Sequence, residues 1–152
     1  MVMISTNFIN TILGGYMTLA TMIHYGSKIC AGISTVGISN FITFLTNTKP
    51  YRVDLRRVEY GDERDPDVKK FLQKISPTTN AHKIDKPLFL IQGGNDPRVP
   101  LSEAEQMKEE VMKHGTSVWY LMAKNEGHGF KKKVNIEIQH LCEAMFIEQF
   151  LK

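Results

Sequence analysis

One stretch constrains the fold of this chain more than any other: residues 87–100, which read Pro-Leu-Phe-Leu-Ile-Gln-Gly-Gly-Asn-Asp-Pro-Arg-Val-Pro. Its apolar first half, up to Ile91, is typical of a buried strand. The strand stops at Gly93-Gly94, where the backbone can adopt conformations that other residues avoid. Asp96 follows just beyond the carboxyl end of the strand, which is where open α/β sheets bind ligands and do chemistry. The stretch therefore predicts a buried sheet with a functional carboxylate at its edge.

Strand and helix patterns alternate around this stretch. Ile29–Val36 and Ser117–Met122 have the apolar content of further strands. Between the last two strands, Ser102 and Glu105 have the spacing of a capping box, which predicts a helix that ends near Gly115. The alternation predicts a mostly parallel sheet with right-handed crossovers, flanked by helices, which is an α/β fold.

Apolar residues at helical spacing predict a helix at each end of the chain. The last stripe has spacings of 4, 3 and 4 and comprises Val134, Ile138, Leu141 and Met145. A looser pattern runs from Phe8 to Ile23 and contains Gly14-Gly15. Two glycines inside a helix cost about 1 kcal/mol each relative to alanine, so they either break the helix or allow close packing. The apolar run Met1–Ile4 predicts a short strand before it.

The segment 47–80 is polar and contains Pro50, Pro66 and Pro77. We interpret it as an excursion within one domain and not as a linker between two. It is expected to hold one short helix near Val68–Ile75 and a solvated acidic turn at 62–65.

Composition limits the possible functions. The chain has 152 residues, the length of one domain, and its net charge of +3 is too small to predict nucleic-acid binding. The basic run Lys131-Lys132-Lys133 has no accompanying aromatic ladder and predicts a solvated loop. Cys30 and Cys142 fit no metal spacing, so we expect free thiols in a reducing cytoplasm, with no metal and no cofactor.

The first 27 residues contain no Lys, Arg, Asp or Glu. A signal peptide needs a basic start, which this segment does not have. Polar residues and glycines also interrupt its apolar run. We therefore expect neither export nor a membrane span.

A second loop, Glu126–Phe130, holds His128 between two glycines. One helix and one strand separate it from Asp96, so we expect the two loops to be neighbours at the same edge of the sheet. A carboxylate beside an imidazole fixes its tautomer and stabilises the imidazolium. Singly, Asp96 is also typical of a turn and His128 of a loop cap. Together, after successive strands, they match the α/β-hydrolase order of nucleophile, acid and base.

Several ordered motifs at matching spacing carry a family resemblance. They are Gly14–Ala20, Gly32–Asn40, Tyr60–Asp62, Ile75–Pro77, Gln92–Pro100, Glu103–Met107 and Glu126–Phe130. Over residues 14–152 the chain resembles the catalytic domain of the prolyl oligopeptidase family of serine peptidases, with acylaminoacyl-peptidase-like and dipeptidyl-peptidase-like members the most similar. The resemblance implies the C-terminal part of an α/β-hydrolase fold, a peptide substrate, Asp96 as the triad acid and His128 as the triad base. Residues 1–13 match nothing in the family.

The chain departs from the family at the nucleophile. Members have Gly-x-Ser-Tyr-Gly-Gly-Tyr-Met at the nucleophile elbow, whereas this chain has Asn10-Thr-Ile-Leu-Gly-Gly-Tyr-Met17. Ile12 therefore stands where the serine is expected, and its side chain cannot attack a carbonyl. Without a nucleophile, hydrolysis falls to the roughly 10³–10⁴-fold over water that binding and the oxyanion hole provide. The Leu13 N–H remains a candidate oxyanion donor.

Three other serines are weaker candidates. Ser5 follows an apolar run, as an elbow nucleophile follows its strand, but it lacks the glycines of an elbow, and a helix N-cap is the simpler interpretation. Ser34 and Ser39 match non-catalytic positions of the family.

Two functions are expected. The first is a serine peptidase of prolyl oligopeptidase type, acting on short peptides or acyl-amino acids, that is inactive as this chain. The second is a non-catalytic remnant, a pseudoenzyme or one half of a split enzyme that acts as an interaction module. Family members have a β-propeller and further strands before the elbow. We therefore expect an open sheet edge, covered by a second chain or in a homo-oligomer, and a truncated or frameshifted gene joined just before Gly14.

Overall fold

The computed structural model describes the backbone of residues 2–5 and 12–151 and the side chains of residues 14–151. Within this part, four parallel strands form one sheet in the order of the sequence. They are β1 (Val2–Ser5), β2 (Ile29–Thr35), β3 (Leu88–Gly93) and β4 (Val118–Ala123). The predicted α/β fold is confirmed, and each predicted strand is found close to its predicted ends.

Helices cover both faces of this sheet. The α-helices among the described residues are α1 (Ile12–Tyr25), α2 (Phe41–Asn47), α3 (Pro50–Tyr60), α4 (Pro66–Ile75), α5 (Leu101–Lys113) and α6 (Lys133–Phe150). Short 3₁₀ turns lie at Gly26–Lys28 and Pro77–Lys83. None of the helices in residues 12–151 has the length and apolar character needed to cross a bilayer.

Two cores lie on opposite faces of the sheet. Under α1 and α5, apolar side chains of the helices pack on β2 and β3; the cluster includes Leu19, Met22, Ile29, Leu88, Leu90, Met107 and Val111. Under α6, the core is aromatic. The Phe146 ring lies 5.4 Å from that of Phe89 and 5.5 Å from that of Trp119, measured between centroids. Burial on both faces explains why β3 is an unbroken apolar run.

The glycine pair in α1 allows close packing and does not break the helix. A Cβ on Gly15 would lie only 2.4 Å from the Gly37 Cα and 2.6 Å from the Thr35 carbonyl oxygen. The end of β2 therefore touches the first turns of α1, and Ser34 Oγ donates to the Gly15 carbonyl at 3.0 Å. Phe8, with which the predicted pattern began, lies outside the described residues.

The predicted capping box of α5 is wrong. The helix begins at Leu101 after Pro100, two residues earlier than a helix capped by Ser102, and no side chain caps it. Ser102 is therefore already inside the first turn, where it has no cap position to fill. The first-turn acid is Glu103, which is buried and accepts hydrogen bonds from the β2–α2 loop.

The polar excursion holds two helices where one was predicted. The helix that was missed, α3, begins with Pro50, which is favoured at a first helical position, and buries none of its residues. The acidic turn after it is not fully solvated, because Glu63 is buried. Arg57 Nε donates to both Glu63 oxygens at 3.1 and 3.2 Å, and these bonds hold the pKa of Glu63 below its usual value.

The apolar stripe predicted α6 correctly but not the face that it buries. The four stripe residues, Val134, Ile138, Leu141 and Met145, are 45% to 64% exposed. The helix instead packs on the sheet through Cys142, Phe146, Ile147 and Phe150. Because α6 has apolar residues around most of its circumference, spacing alone does not decide its orientation. The aromatic contacts of Phe146 do.

Candidate active site

Asp96 and His128 lie in direct contact at the carboxyl edge of the sheet. His128 Nδ1 is 2.7 Å from Asp96 Oδ2, and both side chains are buried. The loops that carry them follow β3 and β4, which are adjacent parallel strands. The structure thus brings together the two residues that the sequence predicted to be neighbours.

The Asp96 carboxylate is held in one orientation by several donors. Its Oδ1 accepts the backbone N–H groups of Arg98 at 2.7 Å and Val99 at 3.1 Å. Gln92 Nε2 lies 3.3 Å from Oδ2 and also donates to the Val99 carbonyl at 3.2 Å. Oδ2 is therefore aimed at His128 Nδ1, which donates its hydrogen to it, and the lone pair of the neutral ring is left on Nε2.

The second ring nitrogen is in an unusual environment. His128 Nε2 is buried and has no hydrogen-bond partner among the described side chains and backbone. Buried polar atoms are nearly always paired, and an unpaired one indicates strain or a chemical role. An imidazole whose Nδ1 is fixed by a carboxylate and whose Nε2 is free has the arrangement of a general base.

The two loops are joined to each other by their backbones. Gly94 N donates to the Ala123 carbonyl at 2.9 Å, and Asn95 N to the Glu126 carbonyl at 2.8 Å. Gly93 lies so close to the second loop that a Cβ there would be 2.0 Å from the Gly127 oxygen. A residue larger than glycine at position 93 would therefore separate the acid from the base.

The loop that carries His128 is closed by hydrogen bonds to one of its own residues, Glu126. The buried Glu126 carboxylate accepts the backbone N–H groups of Lys131 at 3.0 Å and Lys132 at 2.9 Å, and the Asn135 side-chain amide at 2.7 Å. The hydrogen bond from Asn135, followed by those from the backbone, lowers the pKa of Glu126. The sequence did not predict this role, because the spacing of Glu126 before α6 is not that of a capping box.

A cleft of about 330 Å³ opens beside the imidazole. It is lined by Pro97, Arg98, Gly127, His128, Gly129 and Lys131. The predicted solvated character of the lysine run is confirmed, since Lys131, Lys132 and Lys133 are exposed. No group of three or more His, Cys, Asp or Glu side chains able to hold a metal ion occurs in residues 14–151.

The sequence profile of the prolyl oligopeptidase family matches residues 13–152 of this chain. The chain belongs to this family. It is 35% identical over 142 residues to the dipeptidyl peptidase family member 6 of Caenorhabditis elegans and 34% identical over 141 residues to the dipeptidyl aminopeptidase BIII of Pseudoxanthomonas mexicana. Each alignment covers 91% of this chain, but 19% and 20% of the respective relative.

Solved structures give the same family and the α/β-hydrolase fold. The chain is similar to a puromycin-hydrolyzing peptidase of Mycobacterium tuberculosis, with a TM-score of 0.82, 28% identity, and coverage of 91% of this chain and 20% of the other. It is also similar to the acylaminoacyl peptidase of Pyrococcus horikoshii, with a TM-score of 0.82, 25% identity, and coverage of 91% and 23%. The chain therefore spans about a fifth of the length of these prolyl oligopeptidase relatives.

In this prolyl oligopeptidase domain, the predicted nucleophile position falls at the start of α1. Ile12 is the first described residue of the helix, as expected for the residue at an elbow between a strand and a helix. Asn10 and Thr11, which complete the expected elbow, lie outside the described residues. Ser5 is the last residue of β1, and residues 6–11, between it and the described part of α1, lie outside the described residues. Its interpretation as a helix N-cap therefore stays a prediction.

The two buried serines that the sequence offered as weaker candidates, Ser34 and Ser39, have packing partners instead of an imidazole. Ser34 Oγ donates to the Gly15 carbonyl, and Ser39 Oγ to the Glu103 carbonyl at 2.7 Å. Both residues are almost completely inaccessible. Their hydroxyl groups are therefore engaged away from His128.

Proposed function

We propose that this chain carries the acid, Asp96, and the general base, His128, of a serine peptidase, and that Ile12 occupies the nucleophile position and leaves the chain inactive. The observation that carries the proposal is the 2.7 Å contact between His128 Nδ1 and Asp96 Oδ2, combined with a buried Nε2 that has no partner among the residues that the structure describes. The names of the relatives, which are dipeptidyl and acylaminoacyl peptidases, favour short peptides or acyl-amino acids as the substrate class.

The geometry supports the following division of labour. His128 Nε2 would take the proton of an attacking hydroxyl and later give it to the leaving amine, while Asp96 stabilises the imidazolium between the two steps. The Leu13 N–H belongs to the first turn of α1, where N–H groups have no partner within the helix, and so is suited to stabilise an oxyanion. Ile12 has no hydroxyl, so no acyl-enzyme bond forms.

A fluorophosphonate probe tests the inactivity directly, since it bonds covalently to activated serines. We expect no labelling of the wild-type chain. Labelling of any serine, including Ser5, that disappears in the His128→Ala variant would overturn the proposal.

Restoring the elbow tests the acid–base pair. We expect the fourfold variant Asn10→Gly, Thr11→Gly, Ile12→Ser and Leu13→Tyr to react with the probe and to cleave an activated ester. The matched control has alanine in place of serine at position 12 and stays unreactive. A folded fourfold variant that stays unlabelled would contradict a working pair of Asp96 and His128.

One observation favours a second candidate function, an interaction module. The outward face of α6 (Val134, Ile138, Leu141 and Met145) is exposed, and within the described residues β1 pairs only with β2. An exposed apolar stripe and a free strand edge are both surfaces on which another polypeptide can associate. We infer that a second copy of the chain covers the outward face of α6 when no other chain does.

Sedimentation velocity tests this second candidate. We expect the wild-type chain to self-associate, and the double variant Ile138→Lys, Leu141→Lys to be monomeric. Val58→Lys on α3 is the matched control, because Val58 is also apolar and exposed but lies on another helix. A wild-type chain that stays monomeric at high concentration argues against the interaction module.

A further inference from the structure

Glu126 links the loop of the acid to the loop of the base through both its backbone and its side chain. Its carbonyl accepts Asn95 N at 2.8 Å, so it is bonded to the loop that carries Asp96. Its carboxylate, at the same time, accepts Lys131 N and Lys132 N at the far end of its own loop. A single residue therefore fixes the start of the His128 loop and closes that loop against its end.

We propose that Glu126 is a positioning residue that holds the His128 imidazole where its Nδ1 can hydrogen-bond to Asp96. This inference rests on the proposed function only in that His128 is taken as the base. Two features connect Glu126 to the imidazole: the closed loop, and the backbone bridge between the two glycines that flank the histidine.

Closure of the loop leaves few residues free to move. Only positions 127–130 lie between Glu126 and the Lys131 N–H that its carboxylate accepts at 3.0 Å. Within that span Gly127 and Gly129 form an isolated antiparallel bridge, and Gly129 has a φ of 81°, in the region that favours glycine. His128 lies at the tip of this small ring, so the position of its side chain depends on closure.

The choice of a carboxylate fits the donors that it meets. Three N–H groups converge on the two oxygens of Glu126, and two of them belong to the backbone directly before α6. One of these two is the N–H of the N-cap residue, Lys132, which has no partner within the helix. Such a helix start favours negative charge. The lowered pKa of Glu126 agrees with this, because the hydrogen bonds stabilise the ionised form.

A merely structural Glu126 would stabilise α6 without affecting the imidazole, and the experiment separates the two roles. The full chain is labelled with ¹⁵N-histidine, and the exchange with water of the His128 Nδ1 hydrogen is measured by NMR, with His128→Ala assigning the resonance. We expect Glu126→Ala to speed this exchange by at least tenfold. Glu126→Gln should retain most of the protection, because its amide oxygen still accepts backbone N–H groups.

Glu143→Ala is the matched control. Glu143 is also a buried glutamate and lies on α6, but its carboxylate accepts from Gln139 of the same helix at 2.8 Å, away from the His128 loop. We expect the control to lower the unfolding midpoint and leave the His128 exchange rate unchanged. If Glu126→Ala behaves in the same way, the positioning role is refuted.

Asn135→Ala keeps the test decisive if Glu126→Ala does not fold. It removes the Asn135 donor to the Glu126 carboxylate, together with the Asn135 bond to the Asn125 side chain, and leaves both backbone donors of Glu126 in place. We expect a smaller but measurable increase in the exchange rate. An unchanged rate in this variant would also refute the inference. Failure of the proposed function is distinguishable, because it would appear as probe labelling of the wild-type chain and would not alter the exchange result.

Discussion

Asp96 and Glu103 lie on either side of the start of α5, and both carboxylates are buried and accept several hydrogen bonds. Asp96 accepts two backbone N–H groups, the Gln92 amide and the imidazole of His128. Glu103 accepts the backbone N–H groups of Ser39 and Asn40 and the hydroxyl of Thr43. Burial and the number of hydrogen bonds are thus similar at the two sites.

The partners make the difference. Every donor that Glu103 meets is a neutral backbone or hydroxyl group, so none of its partners titrates, and its network joins the β2–α2 loop to α5. Asp96 has a partner, His128, whose ring can bind a second proton, and the second nitrogen of that ring has no hydrogen-bond partner in the described part of the chain. The comparison indicates that the carboxylate proposed as catalytic differs from the structural one in its titratable partner, and not in its burial.

The largest effect is expected at Asp96 in the restored-elbow variant. Asp96→Asn there should lower kcat by about 10⁴-fold, because the amide donates to Nδ1 and leaves the hydrogen on Nε2, the wrong tautomer for a base. Steady-state ester hydrolysis measures the effect. Asp85→Asn, at an exposed acid, is the control and should leave kcat unchanged. A loss below tenfold would remove the distinction between the two carboxylates.

The next effect is expected on stability at Glu103. Glu103→Ala should lower the free energy of unfolding by about 3 kcal/mol, because the buried Ser39 and Asn40 N–H groups lose their acceptor. Urea denaturation checks this, with the exposed Glu109→Ala on the same helix as the control. We expect the His128 Nδ1 exchange rate of the folded Glu103→Ala chain to equal that of the wild type; a change would make Glu103 part of the site.

A pH dependence should distinguish Glu103 from its neutral isostere. Burial raises the pKa of the Glu103 carboxyl, against the opposing hydrogen bonds from Thr43, Asn40 and Ser39. Its folded pKa is therefore above the unfolded one, so its contribution to stability is complete below about pH 4.3 and is lost as the pH rises. The stability of the wild type relative to Glu103→Gln should therefore fall as the pH rises above about 4.3. A flat difference between the two urea curves would contradict this.

The smallest effect is expected on the pH dependence of stability at Glu126, and its sign is opposite to that at Glu103. Because its folded pKa is lowered, its contribution to stability is present above the unfolded pKa and is lost as the pH falls through the folded pKa. The wild type should therefore lose stability relative to Glu126→Gln on acidification. Urea midpoints measured at pH 3 and pH 6 check the sign, and a loss on raising the pH would contradict it.

The sequence predicted the sheet and the Asp96–His128 contact because both depend on local patterns. An apolar run ending in glycines locates β3, and parallel strands bring their carboxyl ends to one edge. It did not predict the supports of the pair, Gln92 and Glu126, because their contacts depend on how neighbouring loops fold back. The α6 face was missed for a similar reason: the aromatic contacts of Phe146 are with β3 and β4, far away in sequence.

Strand order has a consequence for how the chain opens. Since the strands lie in sequence order, each crossover joins immediate neighbours, and β2 and β3 each have a partner on both sides and a helical layer on both faces. Of these two strands β3 is the more extensively paired, because its whole length is in register with β4. Amide hydrogens of Phe89 and Leu90 should therefore be the last to exchange with deuterium, while those of β1 exchange first. The acid at the end of β3 is thus attached to the most slowly opening segment of the molecule, and the nucleophile position follows the strand that opens most readily.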